Sequence, residues 1–280
     1  MTASFPRMRE SIFNEKKQFI SGERNNLMRI LLTNDDGYRA PGINTIFNAL
    51  LEAGHDVVMV APELNSSGAG QSIAVYSPIT ITKVSDRVYF VSSTPADSIR
   101  LGLDVVYEHK KNYPELIISG INMGENIGED VNYSGTVGAA REGVMHGISS
   151  IAFSTPGPTF NHLDSAAKVI LDLIARLEKN PQTMVTPFLW NVNIPNKPYH
   201  LITGFEATKL GLRPPHKPME KQITPRGHTI YWQGESSDPD KAPIGTDIDV
   251  YLKQEKVSIT PMKVLPTDYN QMPMITALST

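Results

Sequence analysis

Between residues 28 and 180, short apolar runs alternate with segments whose apolar positions recur every three or four residues. Ile30-Leu31-Leu32 and Val57-Val58-Met59-Val60 are unbroken apolar runs, the pattern of strands buried on both faces in a parallel sheet. Between them, Pro41-Gly42 opens a stretch with Ile43, Ile46, Phe47, Leu50 and Leu51 on one helical face, and Gly54 is a stop signal. Shorter strands are expected near 79–84 and 87–91. Thr94-Pro95 reads as a helix start, with Thr94 as cap and Pro95 in the first helical position. Leu116-Ile117-Ile118-Ser119 predicts another buried strand, 136–145 a helix, and 148–153 a further strand. The spacing of Leu163, Ala166, Ala167, Ile170, Ile174 and Leu177 predicts a long helix.

Beyond about residue 181 the rhythm changes. Prolines become frequent, and short β-like pieces at 188–194, 200–206, 229–233 and 257–260 replace the strand–helix alternation. The expected fold class is therefore α/β, a doubly wound and mainly parallel sheet over residues 28–180. A β-hairpin-rich appendage over 181–280 is expected to belong to the same functional unit. Residues 1–27 read as a polar leader or a misassigned start, because Met28 directly precedes the first strand.

Composition narrows the function classes. A net charge of -3 leaves no global basic field, so duplex nucleic acid is not an expected partner. There is no cysteine, which removes disulfides, zinc–thiolate sites and thiol nucleophiles together. No apolar stretch approaches the roughly 18 residues that span a bilayer, and the N-terminal segment lacks a continuous apolar signal core. A cytoplasmic protein with no membrane association is the expectation.

The first strand ends in Thr33-Asn34-Asp35-Asp36-Gly37, two adjacent carboxylates at the carboxyl end, where open α/β sheets form their ligand crevice. Neighbouring carboxylates repel unless a cation or proton intervenes, and hard oxygen ligands suit Mg²⁺ or Mn²⁺. Asn-Asp-Asp-Gly is equally a turn composition, so this tract alone supports both readings. The second strand delivers a Ser/Gly-rich loop, Ser66-Ser67-Gly68-Ala69-Gly70, and strand 116–119 delivers Ser119-Gly120-Ile121-Asn122-Met123-Gly124-Glu125-Asn126. In a parallel sheet these loops converge on one edge. Downstream, Tyr133-Ser134-Gly135-Thr136-Val137 leads from a turn into a helix, which makes an anion site from free amides, the helix dipole and two hydroxyls. A plain N-cap at Ser134 or Thr136 is the alternative.

In their order and wording these blocks resemble the SurE family, stationary-phase survival proteins that act as metal-dependent nucleotidases. The similarity runs through Arg29–Gly37, Ala40-Pro41-Gly42-Ile43, Val60-Ala61-Pro62, Ser67-Gly68, Ser119–Gly124 and Tyr133–Val137. It continues through Thr208-Lys209-Leu210-Gly211, Tyr231-Trp232 and Val257–Pro261, covering roughly Met28 to Met262. The resemblance implies one divalent cation per subunit, Mg²⁺ or Mn²⁺, held by Asp35, Asp36, Ser67 and Asn122. It implies phosphate contacts from Asn126, Ser134, Gly135 and Thr136, and hydrolysis of nucleoside 5′- and 3′-monophosphates. Asp35 and Asp36 carry the expected catalytic role, with Asp35 favoured as base or nucleophile. A homodimer or homotetramer built through the carboxyl-terminal region is also implied. Two departures stand out. The loop before Ser67 often carries basic residues in the family but reads Glu63-Leu64-Asn65-Ser66 here, and Glu255-Lys256 replaces a common Gly-Tyr.

Other polar residues take plainer readings. The seven histidines show no metal-ligand spacing and are expected to be surface or structural. Lys209 and Arg213 are read as solvated charges, and Trp190 and Trp232 as packing aromatics. A haloacid-dehalogenase-type phosphatase would need Asp-x-Asp, but Gly37 follows Asp35 by two positions. An oxidoreductase would need Gly-x-Gly-x-x-Gly after the first strand, and none is present. A non-catalytic nucleotide binder would need the phosphate turn without the metal set.

Overall fold

Strand β1 (Arg29–Thr33) shows why its apolar run is continuous. Ile30 and Leu32 pack into the core on one face of the sheet, while Leu31 packs into a separate core on the other face. Side chains alternate across a strand, so burial on both faces requires apolar residues at every position. The computed structural model describes residues 27–108, 113–157, 161–215, 217–234 and 241–278. The leader expected over 1–27 lies outside the described residues except for Leu27.

The remaining strands are β2 (Asp56–Pro62), β3 (Ile81–Ser85), β4 (Val88–Val91), β5 (Leu116–Met123), β6 (Ser149–Thr155), β7 (Leu189–Asn193), β8 (Phe205–Ala207), β9 (Glu220–Ile223), β10 (Thr229–Trp232) and β11 (Val257–Met262). Nine of them form one sheet in the order β3-β4-β2-β1-β5-β6-β7-β11-β8. From β4 to β7 every pairing is parallel, while β3 and β11 run antiparallel to their neighbours β4 and β7. β9 and β10 make a separate antiparallel hairpin. The mainly parallel α/β sheet expected from the sequence is thus present.

Helices α1 (Pro41–Glu52), α2 (Pro95–Leu101), α3 (Gly135–Met145), α4 (Leu163–Lys179), α5 (Asp247–Lys253) and α6 (Met272–Ala277) complete the fold. α1 and α4 cover one face, burying Ile43, Ile46 and Leu50 with Ile170, Leu173, Ile174 and Leu177 against Ile30, Leu32 and Ile118. α2 and α3 cover the other, where Ile99 and Ala139 meet Leu31, Val60 and Ile117. Each fully buried aliphatic side chain contributes about 1.5–3 kcal/mol, so the two apolar layers hold the strand ends in place. α2 starts as its sequence indicates: the Thr94 hydroxyl accepts from the Asp97 amide at 3.2 Å, with Pro95 following.

The final third departs from a run of hairpins. β7, β11 and β8 extend the same sheet, so the hydrogen-bonded ladder crosses residue 180 without a break. The expected strand over 200–206 is a 3₁₀ turn at Tyr199–Leu201 followed by the short β8, because Gly204 at φ +132° interrupts the extended run. α5 and α6 lie where no helix was expected. No helix among the described residues is long and apolar enough to cross a membrane.

The chain leaves β1 for β2 on one side and returns to β5 on the other. The gap between the carboxyl ends of β1 and β5 is the topological switch point, where open α/β sheets bind ligands.

Candidate active site

Asp35 and Asp36 emerge at that switch point, directly after β1. Asp35 is buried, and its Oδ1 accepts a 2.5 Å hydrogen bond from the Thr136 hydroxyl. Burial pushes its carboxyl above the ordinary carboxylate range, against the opposing pull of Thr136 and the nearby Gly135 and Thr136 backbone. Asp36 is more open and receives 3.4 Å contacts from the Met123 amide and the Asn65 side-chain nitrogen. Desolvation, with the charge of Asp35 beside it, pushes Asp36 up to about 6. Two carboxylates raised by burial, Asp36 also by the charge of Asp35, form the local environment that a cation relieves.

The other loops close on this pair. Loop 62–72 is tied to it because the Ser66 amide donates to the Asp35 carbonyl at 2.6 Å. Its far end is wedged against α3, where a Cβ on Gly138 would lie 2.2 Å from the Gly70 carbonyl oxygen. Gln71 Nε2 donates to Glu142 Oε2 on α3 at 2.8 Å. Asn65 shapes the turn by accepting from the Ser67 amide at 2.8 Å. In β5 the ladder to β6 shifts register between Ser119 and Asn122, and Gly120 sits at φ +137°, with no room for a Cβ beside the Phe153 carbonyl. Such a bulge re-aims the residues that follow it. Asn122 Nδ2 is engaged by the Gly124 carbonyl at 2.8 Å, leaving the amide oxygen as its free end.

These elements enclose a cavity of about 700 Å³ whose wall includes Asp35, Ser67, Asn122, Asn126, Ser134 and Tyr133. Asn126 is held at four points. Its Nδ2 donates to Ser154 Oγ at 2.7 Å, its amide to Asn193 Oδ1 at 2.9 Å, and its carbonyl accepts from Asn191 and Asn193. Ser134 caps α3 by accepting from the Val137 amide at 3.1 Å, so its hydroxyl proton is free to donate. Gly135 and Thr136 are buried behind the wall. A Cβ on Gly135 would lie 2.9 Å from the Asp35 Cβ, and Thr136 spends its hydroxyl on Asp35. Both residues thus lie against Asp35, and Ser134 is the residue of this turn that lines the cavity.

The donor set fits a hard divalent cation. Asp35, Asp36, the Ser67 hydroxyl and the Asn122 amide oxygen supply oxygen only, the chemistry that Mg²⁺ and Mn²⁺ take. Among the described residues no group of three or more His, Cys, Asp or Glu side chains converges as a metal cluster.

The family model described as Survival protein SurE matches residues 30–217. The chain belongs to the SurE family. The 5′-nucleotidase SurE of Methylobacillus flagellatus is 40% identical over 244 residues, covering 87% of this chain and 96% of that protein. The 5′-nucleotidase SurE of Nitrosomonas eutropha is 42% identical over 245 residues, covering 88% and 96%. The crystal structure of the SurE protein from Aquifex aeolicus superposes with a TM-score of 0.78 at 40% identity, over 90% of this chain and all of that one.

This SurE-family cavity has a second wall that sequence reading missed. Arg213 and Gln233 line it from the carboxyl-terminal third. Arg213 is no solvated charge: its side chain is 6% exposed, it pairs with Asp130, and it reaches Glu125 at 3.2 Å. The arm carrying it is pinned by Asp247, a fully buried carboxylate that accepts from the Gly128 amide at 2.8 Å and the Gly211 amide at 2.7 Å. Thr246-x-x-Asp249, a cap signature, was the available signal for this element. Of the aromatics, Trp190 stacks on Phe188, while Trp232 is exposed on the hairpin. His55 is buried and accepts from the Met28 amide at 3.2 Å. His109 and His216 lie outside the described residues.

Proposed function

We propose that this SurE-family protein is a divalent-metal-dependent phosphomonoesterase that hydrolyses nucleoside 5′- and 3′-monophosphates to nucleoside and phosphate. The observation that carries this reading is the convergence of Asp35, Ser67, Asn122, Asn126 and Ser134 on one cavity at the sheet's switch point. Two relatives that carry the name 5′-nucleotidase SurE, matched over nearly their whole lengths, support the same chemistry.

Asp35, Asp36, Ser67 and Asn122 would hold one Mg²⁺ or Mn²⁺. When bound, such a cation neutralises phosphate charge and lowers the pKa of water at the site. The chain's own residues do the rest. Ser134 donates its hydroxyl proton to a phosphate oxygen at the amino terminus of α3, where the helix dipole adds to the attraction. Asn126, immobilised by Ser154, Asn191 and Asn193, sets the phosphate's position without paying ordering entropy on binding. Asp35 accepts the proton of the attacking water, and Thr136 holds its orientation. Tyr133, exposed at the cavity wall, offers an aromatic face toward the nucleoside end.

Assembly as a homodimer or homotetramer is part of the proposal. The β9–β10 hairpin projects outside the main sheet with Ile223, Tyr231 and Trp232 exposed, and α6 exposes Met272 and Met274. A second copy of the chain would cover these apolar side chains. Multi-angle light scattering should return a multiple of the chain mass, and a monomer at micromolar concentration would count against it. The activity is tested by phosphate release from 5′- and 3′-nucleoside monophosphates with Mn²⁺, Mg²⁺ or EDTA. Release that requires the cation supports the reading, and release that persists in EDTA overturns it.

A further inference from the structure

Of the four oxygen donors proposed for the cation, Ser67 stands on the least rigid support. Asp35 and Asp36 follow β1 directly and Asn122 lies within β5, whereas Ser67 is exposed at the tip of loop 62–72. Gly68 at φ +78° and Gly70 at φ +57° follow it, conformations that glycine adopts at little cost and leaves as easily. The place of the Ser67 hydroxyl therefore depends on how the loop is clamped at its two ends.

The amino-terminal clamp is mostly backbone. The Ser66 amide donates to the Asp35 carbonyl at 2.6 Å, and the Ser67 amide to Asn65 Oδ1 at 2.8 Å. At the carboxyl end the Gly70 amide donates to the Tyr133 carbonyl at 2.9 Å. Beside it a side chain completes the clamp. Gln71 Nε2 donates to Glu142 Oε2 at 2.8 Å and lies 3.1 Å from Met145 Sδ.

Glu142 has an unusual setting for a helical glutamate. It is 7% exposed, on the side of α3 that meets α2 and the loop. Burial works against its charge, yet hydrogen bonds with His146 and Gln71, and the charges of His146 and Arg100, hold its carboxyl below the ordinary range. His146 Nε2 lies 3.2 Å from its Oε1, and Arg100 Nε on α2 lies 4.0 Å away. A hydrogen bond to an ionised acceptor is roughly twice as strong as a neutral one. One carboxylate thus ties α2, α3 and the loop together, and it does so outside the lining of the cavity.

We propose that Gln71 and Glu142 are positioning residues for the metal site, a carboxylate–amide clamp that presents the Ser67 hydroxyl to the cation. The proposal rests on the metal-dependent reading above. The clamp orders the loop during folding, so less ordering remains to oppose binding of the cation.

The test is calorimetric Mn²⁺ affinity, with urea melts alongside, for wild type, Gln71→Ala, Glu142→Ala, Glu142→Gln, Ser67→Ala and Ser67→Ala/Gln71→Ala. Gln71→Ala should weaken Mn²⁺ binding about fivefold, and Glu142→Ala at least as much. Glu142→Gln keeps an oxygen that accepts from Gln71 and should recover most of the affinity. Without Ser67, removing Gln71 should change affinity by less than about twofold, because the two act in series. Unchanged Mn²⁺ affinity in Gln71→Ala overturns the inference; this exchange at a partly buried loop position decides the matter even where Glu142→Ala fails to fold. So does a fivefold loss that persists in the Ser67→Ala background, which would trace the effect to α3 and Asp35 instead. Absence of Mn²⁺ binding in wild type would overturn the metal-dependent reading itself.

Discussion

The two walls of the cavity are built by different physics. The inner wall, from the ends of β1, β2 and β5 and the start of α3, is held by backbone contacts and close approach. Gly135 against Asp35 and Gly138 against Gly70 leave no space for a methyl group. The outer wall, bearing Arg213 and Gln233, is held by carboxylates reaching across long sequence separations. Asp247 grips Gly128 from 119 residues away, and Arg213 reaches Glu125 from 88. A wall locked by packing sets the position of reacting groups, whereas a wall tethered by ionic and hydrogen-bonded latches sets charge and access. Damage to the first should fall on turnover, and damage to the second on affinity and selectivity.

The largest test of this contrast removes inner-wall ligands. Asp36→Asn and Asn122→Ala should each lower kcat/KM by about 10³-fold, measured as phosphate release across a Mn²⁺ titration. Retention of near-wild-type rates would break the assignment of this wall to the chemistry. Gly135→Ala keeps every ligand but drives a Cβ to 2.9 Å from the Asp35 Cβ. It should cost about 10²-fold in kcat and about 1–3 kcal/mol of stability in a urea melt.

Acid should act on the inner wall as well. Asp36 lies near 6 in the metal-free protein, so protons compete with the cation below that pH. Metal affinity should fall by up to about tenfold per unit as pH drops below about 6 and level off above it, as calorimetry would show. The stability of the metal-free protein carries the opposite sign. A carboxyl whose folded pKa is raised favours the folded state at low pH. That contribution fades as pH rises from the unfolded value, 3.8, through about 6. Adding Mn²⁺ at neutral pH should therefore raise the melting temperature more than adding it at pH 5.

On the outer wall, Arg213→Gln leaves the cavity-lining Glu125 and Asp130 without their counter-ion, so it should raise KM for an anionic substrate about tenfold while leaving kcat within about twofold. A collapse of kcat instead would merge the two walls into one functional unit. The smallest effect is expected from Trp232→Ala on the exposed hairpin. Activity per folded subunit should change by less than about twofold, while light scattering reports whether assembly weakens.

The inner wall was legible because its residues fall in short blocks at strand ends, and strand ends announce themselves by the collapse of an apolar run. Asp35, Asp36, Ser67, Asn122, Asn126 and Ser134 all lie in such blocks, and all but Asp36 line the cavity, with Asp36 beside it. The finer roles were not legible. Thr136 looked like a phosphate donor, but its hydroxyl turns inward to Asp35, a matter of helix rotation that spacing does not report. Arg213 looked like a solvated charge because its partners, Glu125 and Asp130, are distant in sequence. Asn191 and Asn193, which lock Asn126, sit in a strand that reads only as alternating polar and apolar residues.

By itself, the sequence determined the alternation of buried strands and covering helices, the parallel sheet, and the loops that carry the candidate chemistry. Those features depend on local periodicity and on which residue types tolerate turns, caps and double-sided burial. Only the tertiary structure decided which polar groups spend their hydrogen bonds on one another and which remain for a ligand. It also decided that the last third of the chain completes the sheet and one wall of the cavity. Those outcomes depend on distances across the fold, where a single ångström separates a free hydroxyl from one already bonded, and no local pattern encodes them.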